Sequence, residues 1–137
     1  MIGIVIVAHG GLAREYLAAM EHVVGVRPGT RAISIGPEDT RASKQTEIDL
    51  AVAEVDAGDG VVVVTDIFGG TPSNLAMAAC GSPDRKVLYG VNLPMLIKLA
   101  KTRELTLDEA TACALAAGRK YINCADGFGV ERNSISA

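Results

Sequence analysis

Two polar residues stand where apolar runs stop. His9 follows Ile4-Val5-Ile6-Val7-Ala8, Asp66 follows Val61-Val62-Val63-Val64-Thr65, and a glycine pair lies just beyond each, Gly10-Gly11 and Gly69-Gly70. A carboxylate that accepts the imidazole Nδ1–H fixes the tautomer, leaves Nε2 as a free nucleophile, and stabilises positive charge developing on the ring. Gly69-Gly70 lets the backbone approach a ligand closely, and a helix opening near Thr71 aims unpaired N–H groups and its positive dipole end the same way. A phosphoryl group fits such a site, with the hydroxyls of Thr71 and Ser73 as further donors. Each part also has an ordinary explanation: a loop histidine, an aspartate capping a turn, a plain strand-to-helix junction. Their convergence on one crevice is what argues for a site.

The elements must bring these residues together. Ile2 to Ala8 is β-branched and continuous, as in a parallel strand covered on both faces. Leu12, Tyr16, Leu17, Met20, Val23 and Val24 then recur at helical spacing up to Gly25. Arg31 to Ile35 reads as a strand, Gly36-Pro37 as a turn, and Asp39 or Thr40 as the cap of a helix carrying Ile48, Ala51, Val52 and Val55 inward. Gly60 to Thr65 is another buried strand, followed by a helix with Thr71 as its cap and Pro72 at its first position. Val87 to Val91 predicts a fourth strand, Pro94 to Thr102 a helix, and Thr106-Leu107-Asp108-Glu109 a capping box for a last helix to Tyr121. Gly127 to Ile135 is expected as a short edge strand.

This alternation predicts one α/β domain over residues 1–137, a three-layer sandwich with a mainly parallel sheet. In the 2-1-3-4 order common to such sheets, strands one and three are neighbours. His9 and Asp66 then meet outside their carboxyl ends, where strand order reverses and ligands bind.

Composition narrows the functions. Thirteen Lys and Arg against sixteen Asp and Glu give a formal charge of -3, without the basic footprint of a nucleic-acid or anionic-membrane binder. No apolar run approaches the roughly 20 residues needed to cross a bilayer. Cys80, Cys113 and Cys124 are irregularly spaced, unlike a disulfide framework or zinc cluster, and point to packing roles in a cytoplasmic protein. No metal constellation, Walker A loop or G-x-G-x-x-G turn is present. His22, inside the first helix, reads as a surface residue.

The segments Ile4-Val5-Ile6-Val7-Ala8-His9-Gly10 with Leu12-Ala13, and Thr65-Asp66-Ile67-Phe68-Gly69-Gly70-Thr71-Pro72-Ser73-Asn74, together resemble the mannose-family enzyme IIA of the bacterial phosphoenolpyruvate-dependent sugar phosphotransferase system. The resemblance runs through nearly the whole chain. It implies that His9 is the phosphorylated histidine, Asp66 its supporting aspartate, and Gly69, Gly70 and Thr71 the loop that holds the phosphoryl group. It also implies the phosphocarrier protein HPr as donor, a IIB-type protein as acceptor or a regulatory partner that reads the phosphorylated state, and no cofactor or metal. An antiparallel C-terminal strand exchanged within a homodimer would come from residues near Phe128 to Ile135. Loops after the strands supply candidate docking residues: Pro37, Phe68, Leu93, Pro94 and Met95. No linker or second domain follows, so a stand-alone IIA unit is expected. Rival readings are a regulatory binding module, the related phosphotransfer subunit of dihydroxyacetone kinase, whose loop after strand three usually lacks Phe-Gly-Gly-Thr-Pro, and a small phosphate-ester hydrolase.

Overall fold

A computed structural model describes residues 1–127. Nine elements follow in order: β1 (Gly3–His9), α1 (Leu12–Val24), β2 (Thr30–Ile35), α2 (Arg41–Val55), β3 (Val61–Thr65), α3 (Thr71–Ala79), β4 (Arg85–Leu88), α4 (Leu93–Lys101) and α5 (Leu107–Lys120). The four strands form one all-parallel sheet in the order β2-β1-β3-β4. The expected C-terminal edge strand falls almost wholly outside the described residues.

The three layers follow from period-2 sorting of β-branched residues. Ile4, Ile6 and Ala8 of β1, with Val62 and Val64 of β3, face a core completed by α1, α4 and α5. Val5 and Val7, with Val61 and Val63, face the opposite core with α2 and α3. Every residue from Ile4 to Ala8 and from Val61 to Thr65 is fully buried. Each valine sealed in this way contributes on the order of 1.5–3 kcal/mol against the entropy of ordering the chain.

α1 begins and ends as its periodicity predicts, and Thr40 caps α2 by accepting from the Ser43 N–H at 3.2 Å. Thr106 caps α5, accepting from the Glu109 N–H at 3.2 Å and donating its hydroxyl to the Glu109 carboxylate at 2.9 Å. Two boundaries differ from the sequence reading. β4 starts at Arg85 and stops at Leu88, because the polar pair Arg85-Lys86 takes the places beside Val61 and Val62 while Gly90, at φ 74°, turns the chain away. As an edge strand of the described sheet it tolerates those polar side chains. In α3 the cap is Gly70, with no side-chain cap bond, and Thr71 is already helical.

Candidate functional site

The chain runs outward from β1 to β2 and returns to β3 on the other side of β1, so the order reverses between β1 and β3. Their register pairs Val7 with Thr65. His9 and Asp66 therefore emerge side by side at the carboxyl edge, as their positions after two apolar runs predicted.

One carboxylate oxygen of Asp66, Oδ2, lies 2.8 Å from His9 Nδ1 and accepts the His9 backbone N–H at 3.0 Å. Oδ1 accepts the Ile67 N–H at 2.9 Å. Partial burial works to raise the Asp66 carboxyl, but the backbone and ring of His9, together with the Ile67 N–H, outweigh it and hold the group below the ordinary value of 3.8. An ionised carboxylate has no proton to give, so the hydrogen on the 2.8 Å contact belongs to Nδ1. In the neutral ring Nε2 then carries the lone pair.

That nitrogen sits at the start of α3. A β-carbon on Gly70 would lie 3.1 Å from Cε1 and 3.3 Å from Nε2 of His9, so any larger residue there would crowd the ring. Gly69 has φ 95°, a conformation that favours glycine at this turn. The first N–H groups of a helix have no intrahelical partners, and Pro72 removes one of those donors, which leaves the N–H groups near Gly70 and Thr71 to face an anion. The Thr71 hydroxyl makes no hydrogen bond among the described residues. His9 keeps its side chain 51% exposed, whereas Asp66 beneath it is 13% exposed.

Ser73 behaves differently from the sequence expectation of a phosphate donor. It is fully buried, its hydroxyl accepts the Gly69 N–H at 2.8 Å and donates to the Gly70 carbonyl at 3.0 Å, and so it braces the loop from behind. Met95, expected at a docking rim, is 4% exposed and belongs to the core beside Gly118. Pro94 and Leu93 are half-buried, Pro37 and Phe68 are exposed, and Phe68 packs on Tyr89 with ring centroids 4.8 Å apart. Burial pushes the Cys80 thiol up to about 11, with Arg85 opposing and Asp49 adding, so it stays an unreactive thiol at neutral pH. Among the described residues no group of three or more His, Cys, Asp and Glu is arranged to hold a metal ion.

An open cleft of about 410 Å³ adjoins His9 and is lined also by Pro37, Asp39, Arg41 and Thr71. Arg41, the first residue of α2, escaped the sequence reading. The available signal was its position: it follows the Gly36-Pro37 turn after β2, and so lies on the same carboxyl edge as His9.

A histidine oriented by a carboxylate beside a helix N-terminus defines an α/β protein equipped to hold a phosphoryl group. The sequence model described as "PTS system fructose IIA component" matches residues 3–115, and the chain belongs to this family of phosphotransferase-system IIA components. The chain is 28% identical over 134 residues to the "PTS system mannose-specific EIIAB component" of Escherichia coli (strain K12), covering 96% of this chain and 42% of that protein. It thus spans less than half the length of this relative. Among solved structures, the "Mannose/sorbose specific IIA subunit of phosphotransferase system from Enterococcus faecalis" superposes with a TM-score of 0.78 at 32% identity, covering 90% of this chain and 94% of that one. The phosphotransferase system component EIIA from Streptococcus agalactiae gives a TM-score of 0.81 at 26% identity, with coverages of 90% and 97%. No helix among the described residues is long and apolar enough to cross a membrane.

Proposed function

We propose that this chain is a phosphoryl carrier of a sugar phosphotransferase system, a single mannose-type IIA domain over residues 1–137. His9 Nε2 accepts the phosphoryl group from phosphorylated HPr and passes it to a IIB-type protein or holds it as a signal for a regulatory partner. The observation that carries this reading is the 2.8 Å contact between Asp66 and His9 Nδ1, with Nε2 turned to the start of α3. The Nε2 lone pair attacks phosphorus in line, the donor's N–P bond breaks with its electron pair returning to the donor ring, and the Nδ1 proton stays on Asp66's side of the His9 ring. Such transfer is mainly positioning and charge stabilisation. N–H groups near Gly70 and the Thr71 hydroxyl hold the phosphoryl oxygens, while Gly69 and Ser73 set the loop. Pro37, Phe68 and Pro94 contribute to a rim used in turn by donor and acceptor. A homodimer and a cytoplasmic location, where free Cys80, Cys113 and Cys124 stay reduced, complete the reading.

The test is to mix the protein with phosphoenolpyruvate, enzyme I and HPr and to weigh it intact under conditions that preserve phosphohistidine. One added phosphoryl group, about 80 Da from its formula and absent from His9→Ala, is expected of an activated nucleophile. No added mass on the wild type, or the same mass on a folded variant, would overturn the assignment.

A further inference from the structure

A phosphoryl group brings roughly 1.5 to 2 negative charges, and the donors assigned to it so far are all neutral. The ring it joins already rests on an anionic Asp66, and Asp39 adds a second carboxylate to the adjoining cleft. Asp39 is accounted for: its Oδ2 accepts the Gly36 N–H at 2.7 Å and lies 3.8 Å from Lys44 Nζ. Arg41 is not. It lines the cleft with His9 and Thr71, is exposed, and makes no side-chain hydrogen bond or ion pair among the described residues. It is also the cation of this lining, on the first residue of α2, whose N-terminal dipole acts in the same sense.

We infer that Arg41 is a charge-stabilising residue of the transfer reaction, its guanidinium turning onto the oxygens of the phosphoryl group bound to His9. The inference rests on the phosphocarrier reading and deepens it. A planar guanidinium can present two parallel N–H groups to two phosphoryl oxygens. Arg41 then does more than speed an encounter: it stabilises the charged carrier itself. The transfer equilibrium between phosphorylated HPr plus free carrier, and free HPr plus phosphorylated carrier, contains no term for the complex. Substitution of a residue that only docks partners changes the rate of approach to this equilibrium and leaves its position unmoved.

The experiment measures that equilibrium by separating phosphorylated from free forms, for the wild type, Arg41→Ala and Arg41→Lys, after circular dichroism has confirmed the fold of each variant. Arg41→Ala is expected to shift the equilibrium about fivefold toward phosphorylated HPr, with Arg41→Lys keeping much of the wild-type value and the gap shrinking as salt screens an exposed charge. An unchanged equilibrium in a folded Arg41→Ala variant overturns the inference, whether or not the rate falls, because it means that Arg41 does not stabilise the phosphorylated carrier. A wild-type protein that takes no phosphoryl group, or a His9→Ala variant that still takes one, fails at an earlier step and overturns the carrier reading itself.

Discussion

Asp66 acts on His9 through two hydrogen bonds to one oxygen, and its substitution separates charge from shape. Asp66→Asn keeps the size but can present an NH₂ to Nδ1, which drives the proton to Nε2 and removes the nucleophile. Phosphoryl transfer in rapid-quench experiments is expected to slow by roughly 10²- to 10⁴-fold, the range seen when a catalytic imidazole is left in the wrong tautomer or loses its proton partner. The same residue carries a pH signature. A carboxyl held below 3.8 in the folded protein contributes stability that is present above that value and is lost as pH falls through the folded pKa. Denaturant titrations should therefore find wild type more stable than Asp66→Asn at pH 7, with the gap closing below about pH 4; a gap constant with pH would contradict the charge argument. His9 and Asp66 were legible in the sequence because each ends a run that only a buried strand explains. Ser73 was not, since sequence shows a hydroxyl near a helix start but not whether it faces ligand or loop.

The segment from Asp66 to α3 is where an element, rather than a side chain, sets the chemistry. Ser73 closes the turn by bonding both Gly69 and Gly70, so the N–H groups facing His9 depend on a hydroxyl that itself touches no solvent. Ser73→Ala deletes both bonds, so the Gly69 N–H loses its protein acceptor and the Gly70 carbonyl loses the hydroxyl's donation. Thermal or denaturant unfolding should show a loss of about 1–3 kcal/mol, and phosphoryl transfer should slow while His9 remains the modified residue; an unaltered rate would deny the loop its positioning role. The parallel order and the α/β/α layers were readable because continuous valine runs separated by amphipathic helices admit few other arrangements. Cap and strand ends were less so. Thr71 is a better capping side chain than Gly70, yet the close approach of the His9 ring makes glycine the residue at that junction. Arg85 and Lys86 looked unlike strand residues because an edge position, fixed only by the assembled sheet, is what accommodates them.

Across the whole molecule, stability and reactivity are lodged at opposite ends of the sheet. Arg103, 3% exposed after α4, donates to the carbonyls of Ile2 at 2.6 Å, Pro28 at 2.8 Å and Gly29 at 3.0 Å, pinning the starts of β1 and β2. Arg103→Met removes all three bonds, leaving the Gly29 carbonyl only its bond from the Ile4 N–H, and is expected to destabilise the fold by about 3 kcal/mol. Folded molecules of the variant should still accept phosphoryl at His9 at the wild-type rate, as quench experiments at low temperature would show. The reactive end is built the other way, with its working ring half open to solvent. Openness suits a group handed from one protein to another, but water reaches what partners reach. In the proposed role such a carrier would keep time: unless a recipient arrives, its cargo would drain away at a pace set by the surrounding water, and the charged fraction would report how recently the supply was flowing.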